Sequence, residues 1–259
     1  MKKVTIHQAY FIPWLGYFSK LAFSDVFVVL DNVLFRERHY FNRTRIVNMH
    51  GQIHWLSLPV GQNFKKNCNE VVCSSPNSNY LDNIIVTLEQ SYTKASYYKR
   101  EWPELKAILN DALFSFTNLV DINLSIIKGI IKYLNIKSPK IILSSEILNT
   151  HDETLDATSR IIAICKELEC DILNIGGGKS ESVHDIKLII EHGINVFGQN
   201  YLSIHPIYNQ SRRKRVGFQK GLSIVDSILN VGKERTISFL TDNNYSPIQL
   251  DFSYNKSQL

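Results

Sequence analysis

The first 32 residues switch between two hydrophobic periods, and that switch limits the fold more than anything later in the chain. Lys3 to Ile6 reads as a strand, and Ser19 to Phe23 reads as the body of a helix. Asp25-Val26-Phe27-Val28-Val29-Leu30-Asp31-Asn32 is a compact apolar run bracketed by acids, the pattern of a strand buried on both faces. Strand, helix and strand in so short a span predict one βαβ unit, parallel and right-handed. The turn inside that unit, Ile6-His7-Gln8-Ala9-Tyr10-Phe11-Ile12-Pro13-Trp14-Leu15-Gly16-Tyr17-Phe18, holds a histidine, an amide and five aromatics. In an open α/β sheet it falls at the carboxyl end of a strand, where such sheets bind ligands. The plain alternative is an aromatic mini-core with a capping histidine.

A second α/β stretch follows. Lys140 to Glu146 reads as a strand with a polar end, Thr154 to Leu168 as an amphipathic helix, and Cys170 to Ile175 as a strand running into Gly176-Gly177-Gly178-Lys179-Ser180. Glu191 to Phe197 suggests a helix end and another strand. Between the halves, Ile53 to Val60 is a strand candidate and Gly61 to Asn79 a polar loop with a short strand at Glu70 to Cys73. Asn79 to Tyr98 and Pro103 to Tyr133 carry helical spacing, with Pro103 placed as the first residue of its helix. The expectation is a Rossmann-like, mostly parallel sheet flanked by helices, in a single domain over 1–259. Its two α/β lobes are 1–78 and 138–242, and 79–137 is a helical middle. The tail after Asn243 is polar and expected to fray.

Composition removes several function classes. Apolar content of 44% and charged content of 20% over 259 residues are those of an ordinary soluble globule. No apolar run approaches the ~20 residues of a membrane span. The start lacks the apolar core of a signal peptide, so a cytoplasmic protein is expected. A net charge of +5 permits an anionic substrate without requiring nucleic acid. The basic run Arg212-Arg213-Lys214-Arg215 has no interleaved stacking aromatics, which argues against a nucleic-acid patch. Cys68, Cys73, Cys165 and Cys170 read as free thiols, because the four-residue spacing in each pair is not that of a zinc site. His50 and His54 lack a third ligand, so no metal is expected.

His7 has the residue type for general acid or base work near neutrality. Gln8, Tyr10, Trp14 and Tyr17 supply polar tips and stacking faces beside it. Arg36 to Arg45 packs four arginines into a loop leaving the second strand, and arginine grips phosphate or carboxylate in a planar fork. That loop also has a plain reading as a solvated basic turn. Gly176 to Ser180 suggests an anion loop or a flexible turn, since it has neither the Walker nor the dinucleotide spacing. Ser144-Ser145-Glu146 is a weaker signal of the same kind. No G-x-S-x-G elbow and no cysteine in a nucleophile context occur, which points to direct transfer assisted by a base.

The opening turn resembles the WbqC-like family, whose signature runs H-Q-P-x-[YF]-x-P-W-x-G-Y-[FH], then a D-x-[FV]-V-x-L-D strand, then a loop ending N-R-x-[RK]-I. This chain has His7-Gln8, Tyr10 or Phe11, Pro13-Trp14, Gly16-Tyr17-Phe18, Asp25 to Asp31, and Asn42-Arg43-Thr44-Arg45-Ile46. Ala9 stands where the family usually has proline. Ser144-Ser145-Glu146, Cys165-Lys166, His205 to Gln210 and Leu222 to Asp226 are similar to family segments in the second half.

The resemblance implies surface-polysaccharide or O-antigen biosynthesis, with acyl or aminoacyl transfer onto the amine of a nucleotide-linked deoxyamino sugar. Under it His7 is the base, and Gln8 or Tyr10 holds an oxyanion or sugar hydroxyls. Trp14 and Tyr17 stack on the base or pyranose, and Arg43 and Arg45 clamp the pyrophosphate. His205, Tyr208 and Gln210 close the pocket, with Asp31, Asn42, Ser144, Ser145 and Glu146 as further substrate contacts; Gly176 and Gly177 are candidate contacts from the glycine run alone, since the family usually has a tyrosine-serine-glycine-like turn where this chain has Asn174-Ile175-Gly176. No cofactor is tightly bound; coenzyme A or an acyl-carrier-protein thioester is the donor. Two alternatives stand beside it: an adenylate-forming ligase or nucleotidyltransferase, and a non-catalytic sugar-nucleotide-binding protein. A distant likeness to H-x-G-H nucleotidyltransferases puts Trp14 and Tyr17 where phosphate-binding histidines would be, which weakens the first alternative.

Overall fold

At the centre of a six-stranded sheet lies β1 (Lys3–His7), with β2 (Val26–Val29) on one side and β6 (Ile172–Gly176) on the other. The computed structural model describes residues 1–250 apart from 38, 62–65, 74–77, 151–153, 177–183 and 246. The sheet order is β5 (Lys140–Leu143), β2, β1, β6, β7 (Asn195–Gln199), β8 (Ile248–Gln249). The first five strands are parallel, and β8 joins β7 antiparallel at the edge. Strands from both halves of the chain therefore build one sheet. The chain moves outward from β1 to β2 and β5, then returns to lay β6 against the other side of β1. That reversal makes the carboxyl ends of β1 and β6 a topological switch point.

Burial explains the strand sequences. All four residues of β2 are buried, matching the unbroken apolar run that sets a strand covered on both faces. On one face, α1 (Leu15–Ala22), α2 (Ser78–Tyr92), α3 (Tyr98–Ser115), α4 (Leu119–Leu134) and α8 (Ile224–Thr241) share a core that includes Phe18, Phe27, Leu88, Leu109, Ile127 and Ile228. On the other, α5 (Ala157–Glu167) and α6 (Ile186–Glu191) close over Val4, Val28, Ile161, Leu173, Ile189 and Val196. α7 (Arg213–Val216) is a single exposed turn.

Four details differ from expectation. Arg43 to Val47 is a strand, not a loop. This β3 (Arg43–Val47) pairs antiparallel with β4 (Ile53–Ser57) in a separate hairpin. Its buried Thr44 and Ile46 alternate with Arg43 and Arg45, so the charges hide the period of two. Cys68–Glu70 is a 3₁₀ turn with a capping box, and only Val72 bridges onward, to Asn118. Pro103 is the sixth residue of α3 rather than its first. The long helical pattern breaks at Asn118, whose side chain accepts the Val120 and Asp121 N–H groups and starts α4. α8 is kinked at Gly232 (φ +82°), where a Cβ would lie 2.8 Å from the Tyr97 ring.

Candidate functional site

Period two puts Thr5 and His7 on the same side of β1, the side that faces α1. Polar contacts line this side of the sheet. Thr5 Oγ1 lies 2.7 Å from Ser24 Oγ, which also accepts Asn174 Nδ2 of β6 at 3.0 Å. Gln199 Nε2 of β7 donates to Ser19 Oγ at 3.0 Å. Lys20 belongs to the same helix and is 6% exposed. Among the described residues it forms no ion pair. Burial holds its pKa down to about 8. A buried lysine without a carboxylate partner is costly, and its presence here marks the seam as more than packing.

His7 ends this seam at the switch point. Burial, then the Lys20 charge, and to a lesser degree His39 push its pKa down to about 3, against the opposing hydrogen bond to Gln8. The ring is neutral at physiological pH. Its Nδ1 lies 3.0 Å from the Gln8 carbonyl oxygen. A carbonyl only accepts, so Nδ1 carries the proton and Nε2 keeps a lone pair. The Tyr17 hydroxyl donates to the same Gln8 oxygen at 2.9 Å, fixing that acceptor in place. The Gln8 side chain points elsewhere, with Nε2 3.3 Å from Cys68 Sγ. Burial pushes that thiol up to about 12, so Cys68 is no nucleophile at neutral pH.

An aromatic ladder leads outward from His7. Its ring meets Tyr10 edge-on at 4.5 Å, Tyr10 stacks on Tyr40 at 5.3 Å, and Tyr40 meets Trp55 at 5.2 Å. The Arg43 guanidinium sits 4.1 Å over the Trp55 ring and that of Arg45 6.0 Å from it. The β3–β4 register sets this end: Arg45 faces Trp55 across the ladder, and Arg43 is its diagonal neighbour on the same face. The Tyr10 hydroxyl has no hydrogen-bond partner among the described residues, and burial raises its pKa, so it stays a donor. The fold thus joins a neutral imidazole, a phenol donor, stacking faces and two guanidinium groups.

Other expected contacts are placed differently. Tyr17 is 2% exposed and offers no open stacking face. Trp14 packs over Gly16 and edge-on against Tyr201 at 5.6 Å. Asp31 is buried, and its carboxylate accepts Ser144 Oγ at 2.9 Å, Ser145 N at 2.9 Å and Ser145 Oγ at 2.6 Å. These three residues tie the end of β2 to the turn after β5. Glu146 caps that turn through the Leu143 N–H at 3.3 Å. Asn42 Nδ2 donates to Leu58 O at 3.2 Å, while its Oδ1 is buried without a partner among the described residues. Gly176 ends β6 at the switch point, and Gly177 lies outside the described residues.

The second-half trio is internal. His205 is 5% exposed, with Nδ1 2.9 Å from Pro206 O and Nε2 accepting the Gly221 N–H at 3.3 Å. Both ring nitrogens are used, and burial lowers its pKa. The Tyr208 hydroxyl donates to Asp226 Oδ1 at 2.8 Å, and Gln210 Nε2 reaches the same oxygen at 3.1 Å. These residues pin α8 to the 205–210 segment and leave the His7 pocket to the first half. Lys20, His39, Tyr40 and Trp55 were the partners missed by sequence reasoning. An isolated tryptophan opposite Arg-Thr-Arg was the available signal for Trp55. Lys20 sits inside an ordinary-looking helix and gave none.

Among the described residues no helix is long and apolar enough to cross a membrane, and no cluster of three or more His, Cys, Asp or Glu could hold a metal. The four cysteines are free thiols. A family model described as the WbqC-like protein family matches residues 8–238. The chain is 28% identical over 238 residues to the uncharacterized protein Rv1507c of Mycobacterium tuberculosis, covering 90% of this chain and 96% of that one. No solved structure matches.

Proposed function

We propose that this chain, which belongs to the WbqC-like protein family, is a transferase that forms an amide on a nucleotide-linked deoxyamino sugar. The observation that carries the reading is the free Nε2 lone pair of His7, its Nδ1–H held by the Gln8 carbonyl, placed beside Tyr10 at the mouth of the parallel sheet. Nε2 takes a proton from the sugar amine as its nitrogen attacks a thioester carbonyl. The C–N bond forms, the carbon–sulfur bond breaks, and the imidazolium returns the proton to the departing thiolate. An amide and a free thiol result. The Tyr10 hydroxyl donates to the oxyanion, and the buried Lys20 charge stabilises negative charge in the seam. Tyr40 and Trp55 supply stacking faces for the nucleoside, and Arg43 and Arg45 take its diphosphate. Coenzyme A or an acyl-carrier thioester is the donor class, and surface-polysaccharide assembly is the setting.

The test is incubation of the purified protein with an acyl-coenzyme A and a dTDP- or UDP-linked deoxyamino sugar. Free thiol and the acylated sugar nucleotide are followed together by colour and by mass. Equal release of thiol and amide, lost in His7→Ala, is the expected result. Consumption of ATP with no thiol release would move the chain to the ligase class. Tight binding of the sugar nucleotide with no product from coenzyme A or carrier donors would make it a binding protein.

A further inference from the structure

A second collection of cations lies outside the His7 site and takes no part in it. Asn209, Gln210, Arg212, Arg213, Lys214 and Arg215 line an open depression of about 350 Å³. The backbone around it is anchored on both sides. Asn230 Oδ1 accepts Ser211 N at 2.8 Å and Ser211 Oγ at 2.6 Å. Gln210 donates to Gln219 O at 2.8 Å and accepts Gln219 N at 2.8 Å. Held between these anchors, Arg212 adopts φ +62°, a conformation that nonglycine residues seldom take.

None of the four cations pairs with a carboxylate among the described residues. The Arg213 guanidinium leans over Phe218 at 5.7 Å, and Arg215 Nη1 donates to His50 O at 3.2 Å. Arg212 Nε is buried and has no acceptor among the described residues. A guanidinium N–H removed from water and left without an acceptor is unfavourable, and four adjacent positive charges repel. An oxyanion held among the four charges relieves that repulsion.

We propose that this depression is a binding site for a phosphate-class anion, with Arg212 as its principal ligand and Lys214 and Arg215 as neutralising charges. A di- or polyphosphate fits four positive charges better than a single carboxylate does. The guanidinium fork suits phosphate oxygens. The depression is at the small end of the range for ligand pockets, which favours a small anionic group over a broad protein surface. A soluble nucleotide and a lipid phosphate headgroup share this chemistry.

The probe is inorganic pyrophosphate, titrated calorimetrically into the full chain at low salt. Arg212→Gln/Arg215→Gln is the test variant, Lys214→Gln a second one, and Arg43→Ala the control for the His7 site. Thermal melts check that each is folded. The proposal expects pyrophosphate affinity to fall at least tenfold in the double variant, or severalfold in Lys214→Gln should the double variant not fold. It expects affinity to persist in Arg43→Ala. Absence of binding, or binding lost only in Arg43→Ala, overturns it. Competition by 3′,5′-ADP identifies a soluble source. Variant-sensitive sedimentation with phosphatidic acid vesicles, and not with neutral ones, identifies a lipid source.

Discussion

The buried ammonium of Lys20 and the half-buried imidazole of His7 share one seam between α1 and β1, and each is held below its ordinary basicity. The arrangement fixes the charge states at neutral pH as a neutral histidine beside a lysine close to its titration point. The rate of transfer that uses His7 as base and Lys20 as a cation should, once divided by the fraction of sugar amine that is unprotonated, hold between about 3 and about 8. The alkaline fall should vanish in Lys20→Met. Because the sugar amine titrates alike in both proteins, the ratio of their pH profiles isolates Lys20. An acid limb near the ordinary histidine value that remains after this correction for the free amine would contradict the lowered His7.

Stability should depend on pH in two opposing ways. His7 binds its proton less readily folded than unfolded, so between its ordinary value of 6.5 and about 3 the unfolded chain holds more protons. Stability then falls as pH falls through that window, and His184 and His205, also lowered by burial, act in the same direction. Asp226 is raised by burial to about 6, so it favours the folded state at low pH and loses that contribution as pH rises from 3.8 toward 6. Denaturant melts from pH 4 to 7 should show a shallower acid loss in His7→Ala and a steeper one in Asp226→Asn. The same slope in all three proteins would refute both assignments.

Gly16→Ala should destabilise the fold by about 1–3 kcal/mol, because a Cβ there would lie 2.4 Å from the Trp14 indole. Combining it with Trp14→Ala should cost less than the sum of the single changes, as expected for two residues competing for one space. Additive losses in urea melts would mean the indole is not what excludes the methyl.

Asp31→Ala should cost about 1.5–3 kcal/mol per charged hydrogen bond that is not replaced, since Ser144 and Ser145 lose their acceptor inside the protein. The change should appear in the melting curve more than in KM. A variant with unaltered stability and a raised KM would instead make Asp31 a substrate contact.

Trp55→Ala should raise KM for the nucleotide sugar roughly threefold to tenfold with little change in kcat, given the ~0.5–1.5 kcal/mol typical of aromatic stacking. Trp55 is 36% exposed and supports Arg43, so both stacking and diphosphate positioning suffer. Arg43→Lys should show the same KM pattern, because an ammonium loses the planar overlap with the ring. A fall in kcat alone would place Trp55 nearer the reacting atoms.

Much of the sheet was legible because its strands are compact apolar runs, unbroken in Val26 to Val29 and interrupted only by Asn174 in Ile172 to Ile175. His7, Tyr10, Arg43 and Arg45 were also legible, since local chemistry and strand ends sufficed. The hairpin was not. Only pairing across β3 and β4 brings Trp55 to Arg43, and pairing is a tertiary fact. The block from His205 to Gln210 looked like a site because its side chains are polar, whereas buried polar side chains also serve to satisfy one another. Asp31, Ser144 and Ser145 carry the same lesson from positions 113 and 114 residues apart.

The central place of β1 in the sheet has a consequence for synthesis. Lys3 is the first residue of that strand, yet its neighbour on one flank is Ile172. At roughly 5–20 residues per second on the ribosome, that neighbour emerges about 10–30 s later. Until then one edge of the strand bearing His7 is unpaired, and a nascent chain in that state is a natural client for chaperones. Such long sequence separation also places this protein among the slower folders.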